Sequence, residues 1–132
     1  TKNNIKISIK NNFSKPIFVL ADYNKIAQVI VNLIVNAIRY GKKNGEILIK
    51  FFEIDNNILV EIADNGIGIA EEHLPRLFER FYRTDKARAR EQGGSGLGLA
   101  IVKHIIEAHN QTINVRSTVN VGSTFSFTLK KA

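Results

Sequence analysis

Apolar and polar residues alternate strictly through Ile5-Lys6-Ile7-Ser8-Ile9, the period-two signature of a half-buried strand. A polar loop holding Asn11, Asn12, Ser14 and Pro16 follows, and residues 17–20 predict a second short strand. Asp22 is a suitable N-cap for a long helix running to Tyr40, with Gly41 as its stop. Residues 46–54 and 58–63 predict two strands, joined as a hairpin through Asp55-Asn56-Asn57. Asp64-Asn65-Gly66-Ile67-Gly68 predicts a turn, and a short helix follows from Ala70, broken or restarted at Pro75. Helical spacing returns over residues 97–108. The chain closes with strands at 112–117 and 123–129 around Gly122, the last alternating through Phe125, Phe127 and Leu129. Strands outnumber helices, and most are joined by hairpins. The fold class is therefore α+β: a two-layer sandwich in which a mixed, mostly antiparallel sheet of about five strands is covered on one face by about three helices.

Three segments carry more than pattern. The long helix is apolar nearly all round from Ile26 to Ile38, which predicts burial. Yet Gln28, Asn32, Asn36 and Tyr40 recur every fourth residue, with Arg39 beside the lower end of that stripe. A buried amide costs about 1–3 kcal/mol unless it is hydrogen-bonded, and a structural network would account for one such Asn. Two asparagines a turn apart, followed by a cation and an aromatic, point instead to the wall of a polar pocket. An amide oxygen is a hard ligand suited to magnesium that already carries phosphate oxygens. Tyr40 suits a flat base, and Arg39 suits phosphate.

The second segment is Asp64-Asn65-Gly66-Ile67-Gly68, an ordinary turn in isolation. In a functional role the carboxylate would accept an exocyclic amine, while Gly66 and Gly68 let backbone approach a ligand. The third is Gly93-Gly94-Ser95-Gly96-Leu97-Gly98-Leu99, which runs into a helix and frees backbone N–H groups for an anion. It is neither a dinucleotide fingerprint nor a Walker loop, because the preceding strand and the Gly-Lys-Ser/Thr ending are both missing. A plain hinge is the competing reading.

Composition narrows the field. The 132 residues, 44% hydrophobic and 23% charged, suit one globular domain. Cysteine is absent, which excludes disulfides, thiolate metal sites and a cysteine nucleophile. No apolar run reaches the ~18 residues of a membrane span, and no signal peptide is evident. The formal charge of +7 invites an anionic partner. Much of it crowds into Arg76, Arg80, Arg83, Lys86, Arg88 and Arg90, opposed only by Glu79 and Asp85, in a stretch that reads as a basic loop. His73, His104 and His109 lie far apart without partners at metal spacing, so they read as surface or helix histidines. Phe78 and Phe81 read as core or docking surface.

Together the segments resemble the catalytic and ATP-binding domain of bacterial sensor histidine kinases. Residues 28–40 are similar to the family's N box, Asp64-Asn65-Gly66-Ile67-Gly68-Ile69 to its first glycine box, and Leu77-Phe78-Glu79-Arg80-Phe81-Tyr82-Arg83 to its F box. Residues 94–102 resemble the second glycine box, and Gly122-Ser123-Thr124-Phe125 the closing glycine–threonine strand. Their order and spacing hold over nearly the whole chain. Two positions depart from the pattern: Gly41 stands where Thr or Ser is usual, and Asn110-Gln111 replaces a glycine pair.

The resemblance implies a Bergerat ATP-binding fold spanning 1–132, with a lid at about 82–95. It implies that Asn36 coordinates magnesium and Asn32 lines the same site. Asp64 would accept the adenine amine, Gly68 would close behind the base and Thr124 would complete that pocket. Arg39 would reach phosphate and Tyr40 would stack near adenine. Ser95, Gly96, Leu97, Gly98 and Leu99 would wrap the phosphates, and Arg83 would meet the transferring one. It implies γ-phosphoryl transfer from ATP to a histidine of a helical phosphoacceptor domain that this sequence lacks, followed by a response regulator. The isolated domain would be monomeric, within a homodimeric parent whose cytoplasmic portion follows an inner-membrane anchor. Two other functions compete with this one: an ATP-hydrolysing conformational switch of the gyrase, chaperone or mismatch-repair type, and a non-enzymatic basic module. The F-box segment favours the kinase over the first. Against a nucleic-acid module, the basic run lacks interleaved aromatics.

Overall fold

The N-terminal alternation becomes β1 (Lys6–Asn11), the first of six strands in a computed structural model that describes residues 5–11, 17–39, 41–42, 44–79 and 98–132. The expected strand at 17–20 narrows to β2 (Val19–Leu20). It is followed by α1 (Tyr23–Arg39), β3 (Glu46–Ile54) and β4 (Asn57–Asp64). A 3-10 helix (Glu71–Arg76) comes next, then α2 (Gly98–Ala108), β5 (Ile113–Thr118) and β6 (Gly122–Lys131). The sheet is mixed: β1 runs parallel to β3, and every other pairing is antiparallel. One edge of β6 pairs with β4 along its length, while its other edge is shared between β5 and the two residues of β2. Both strands at that shared edge stand where the sequence pattern places them.

Turn chemistry follows the expected residues. Asp55 (φ 51°) and Asn110 (φ 58°) adopt left-handed conformations, which Asp and Asn tolerate better than other side chains. The departure from a glycine pair at Asn110-Gln111 therefore leaves the turn intact. Asp22 caps α1, its Oδ1 accepting the Lys25 N–H at 3.1 Å. Pro75 sits inside the 3-10 helix and does not break it, since tighter i+3 bonds such as His73 N–H to Ala70 O (2.9 Å) carry the turn.

The core lies between one sheet face and the helices α1 and α2. Ile47, Ile49, Val60, Ile62, Phe125 and Phe127 face Val29 and Leu33 of α1 and Val102 and Ile106 of α2, all buried. Leu77 joins them, and Phe78 stacks edge-to-face on Phe125 with centroids 6.2 Å apart, so the F-box aromatic is core. The burial expected all round α1 fails on its outer side, where Val31 is 57% and Val35 46% exposed. A helix that covers one sheet face keeps a solvent side whatever its composition. The opposite sheet face carries polar rows such as Lys50, Glu61 and Ser126, with Arg116 bridging to Glu61 at 3.4 Å.

His109 is more than a surface histidine. Its Nε2 accepts the Asp22 N–H at 3.1 Å while Nδ1 donates to Ile105 O at 2.8 Å, tying the end of α2 to the start of α1. The two helices are therefore antiparallel neighbours. His109→Ala is expected to lower stability by about 1 kcal/mol, seen as a reduced thermal midpoint. An unchanged midpoint would mean that water satisfies both groups. Among the described residues, no helix is long and apolar enough to cross a membrane.

Candidate functional site

One end of the sheet carries Asp64 and the loop that follows it. Asp64 is the last residue of β4, paired with Ile47 on one side and Ser123 on the other. Its carboxylate accepts the Gly66 N–H at 2.9 Å and a backbone hydrogen bond from Ser123. Burial pushes the Asp64 carboxyl above its ordinary range, and those two N–H groups pull it partly back. Two N–H bonds leave part of a carboxylate's acceptor capacity for a donor from outside.

The loop after Asp64 is stitched down on both sides. Asn65 Oδ1 accepts the Glu46 N–H at 2.7 Å, closing the exit of β4 onto the start of β3. Ile67 O accepts the Asn120 N–H at 2.8 Å, and Ser117 Oγ accepts the Ile69 N–H at 2.7 Å. Gly68 makes this approach possible: its φ is +75°, and a Cβ there would stand 2.2 Å from Thr118 O. Gly122 plays the matching part on the hairpin, where a Cβ would meet Asp64 O at 2.0 Å.

The helix supplies the second wall. α1 begins beside the far end of β6 and leads by a short connection to β3, whose first residue bonds Asn65. Its C-terminal half, with Asn36, therefore lies at the Asp64 end of the sheet. The polar stripe descends as it goes: Gln28 is exposed, Asn32 half-buried and Asn36 only 7% exposed. A four-residue step on a helix of ~3.6 residues per turn overshoots by about 40°, so the stripe winds into the protein. Asn32 Nδ2 donates to Gly98 O at a long 3.5 Å, which brings the stripe to the start of α2 and so to the end of the glycine-rich segment. Leu99 packs against the core one residue on. Arg39 is half-buried in the last turn of α1.

The fold thus brings Asp64, Gly66 and Gly68 together, and Asn32 with Gly98, at one end of the molecule. Thr124 is a correction. Strand residues alternate faces, and Thr124 pairs with Ala63 and Arg116 on the side away from Asp64. The neighbour of Asp64 is Ser123, which is 4% exposed and was missed in the sequence. The alternation of Phe125, Phe127 and Leu129 on the buried face was the signal that could have found it. Asn65 and Ser117 were also missed as stitches. Tyr40, Arg83, Ser95, Gly96, Leu97 and the expected lid at 82–95 lie outside the described residues. Arg76, at the start of the basic run, pairs with Glu79 at 3.2 Å.

Residues 21–132 match the family described as histidine kinase-, DNA gyrase B-, and HSP90-like ATPase. Over 126 residues the chain is 43% identical to the sensor-like histidine kinase SenX3 of Mycobacterium tuberculosis, covering 96% of this chain and 31% of that protein. The chain thus spans about a third of the length of these curated relatives. The structure of the mycobacterial sensor histidine kinase MprB superposes with a TM-score of 0.83 at 28% identity, covering 97% of this chain and 84% of that one. Full-length ShkA in complex with AMPPNP gives 0.84 at 29% identity, covering 99% of this chain and 27% of that one.

Proposed function

The chain belongs to the histidine kinase-, DNA gyrase B-, and HSP90-like ATPase family, among sensor histidine kinases, and from that premise we propose that it binds magnesium-ATP and transfers the γ-phosphoryl group to a histidine on a helical phosphoacceptor domain. What carries this reading is Asp64, a half-buried carboxylate held by backbone N–H groups with acceptor capacity to spare. An exocyclic amine is the donor it suits. ShkA, a neighbour in fold, is seen with an ATP analogue.

Magnesium fits the residues on the facing helix. Asn36 offers a neutral, hard amide oxygen at a buried position, with Asn32 a turn away. Among the described residues no group of three or more His, Cys, Asp or Glu could grip an ion alone. The ion would therefore share phosphate oxygens with Asn36, and its chemistry would be to offset phosphate charge.

The protein's own part is positioning and charge. Asp64 orients the base, Gly68 gives it a close backbone floor, and Arg39 and Arg83 carry positive charge for the phosphates. Tyr40 flanks the base, and residues 95–99 supply backbone N–H groups to the phosphate chain. The acceptor imidazole nitrogen forms a P–N bond as the bridging P–O bond to ADP breaks. A response regulator then receives the phosphoryl group from that histidine.

Incubating this chain with γ-labelled ATP, magnesium and its matching helical domain is expected to label that domain on histidine, giving an acid-labile, base-stable adduct. ATP binding without any such label would overturn the kinase reading. Rapid ATP turnover in the absence of acceptor would point to a hydrolysing switch.

A further inference from the structure

We infer that Ser117 is a positioning residue of the proposed ATP pocket, its hydroxyl holding the loop after Asp64 against the β5–β6 hairpin. The inference rests on the ATP-binding reading above. Ser117 ends the buried-facing row of β5 (Ile113, Val115, Ser117) and pairs with Ser123, the residue beside Asp64. Its Oγ accepts the Ile69 N–H at 2.7 Å, lies 2.7 Å from Ser123 Oγ and lies 3.1 Å from Gly122 O. A hydroxyl has one proton and two lone pairs. All three contacts are made at once when Ser117 donates to Gly122 O and accepts from both Ile69 and Ser123.

In that arrangement the Ser117 hydroxyl is saturated, and one atom joins three parts of the pocket. They are the end of the first glycine box, the glycine that lets β6 pass close to Asp64, and the serine whose N–H helps hold the carboxylate. The Ser123 proton is turned toward Ser117, so the Ser123 oxygen keeps its lone pairs for a donor. The contact partners lie 48 and 6 residues away in sequence. Asn120 N–H to Ile67 O at 2.8 Å also joins loop and hairpin. The close passage of Gly68 under Thr118 O leaves little slack: if the loop lifts, the base floor and Asp64 move with it.

Replacing Ser117 with Ala frees the Ile69 N–H and leaves Gly122 O and Ser123 with one partner fewer. Ser117→Ala is expected to weaken ATP and ADP by the same factor, roughly five- to tenfold, because the loss falls on the base and not on the phosphates. In phosphotransfer, KM should rise while kcat changes less than about twofold. Ser117→Thr keeps the hydroxyl and should restore most of the affinity. Hydrogen exchange adds a readout without ligand: the Ile69 amide should lose protection in Ser117→Ala while the β3–β4 ladder keeps its own.

Thr128→Ala is the matched control, since Thr128 donates a 2.7 Å bond to Gln111 at the other end of β6. It should cost a similar amount of thermal stability with no change in affinity. Equal ATP affinity and equal Ile69 protection in wild type and Ser117→Ala would overturn the inference, as would an identical affinity loss in Thr128→Ala. Failure of the wild-type chain to bind ATP, with Ile69 still deprotected by Ser117→Ala, would instead count against the ATP reading itself.

Discussion

Asp64→Asn is expected to weaken ATP binding by about 10²-fold or more while leaving the fold in place. The substituted amide keeps one oxygen for the N–H groups of Gly66 and Ser123, so the loop retains its anchor. Its NH₂ group, however, would face the adenine amine donor to donor, and neither could be satisfied. Calorimetric titration with a non-hydrolysable ATP analogue measures the loss, and a thermal midpoint within about 4 °C of wild type shows that folding survives. Equal binding by both proteins would make Asp64 structural.

The same carboxylate sets a pH dependence with opposite signs for ligand and fold. Burial disfavours the charged form and so raises the Asp64 pKa in the folded state. Its contribution to the ligand-free fold is fully present below the unfolded value and is lost as pH rises through the folded value. ATP, by contrast, needs the ionised acceptor. Affinity should climb with pH across that same interval, and Asp64→Asn should flatten both trends.

Asn36→Ala is expected to reduce phosphotransfer by about 10²–10³-fold. The discriminating readout is binding with and without the ion. In wild type, magnesium should strengthen binding of the ATP analogue. In the variant most of that gain should vanish, while binding in a chelator stays within about threefold, since the base and its Asp64 contact are untouched. Asn36 is 7% exposed, so truncation also removes some packing, at about 1 kcal/mol. A variant that keeps the full magnesium-dependent gain would remove Asn36 from the metal site.

Much of the fold was legible because it is local. Alternation placed β3, β4 and β6 to within a residue or two, and the Asp22 cap marked the start of α1. The site's contiguous pieces were legible too, for Asp64, Gly66 and Gly68 need only one loop between them. Thr124 shows where one-dimensional reading slips. It pairs with Ala63, one residue along from the Asp64–Ser123 pair, and on a strand a single step turns the side chain to the other face. His109 shows a different loss: an isolated histidine carries no sign of a partner 87 residues away.

By itself, the sequence determined which segments become strands and helices, and which residues can do chemistry, because periods of 2 and ~3.6 and the turn residues act between near neighbours. Only the tertiary structure decided which of those residues meet. Ser123 beside Asp64, Ser117 under Ile69 and Asn32 against Gly98 depend on strand register and on the seating of α1 and α2 over the sheet. Those choices come from burying one shared core, a property of the whole chain that no local stretch contains.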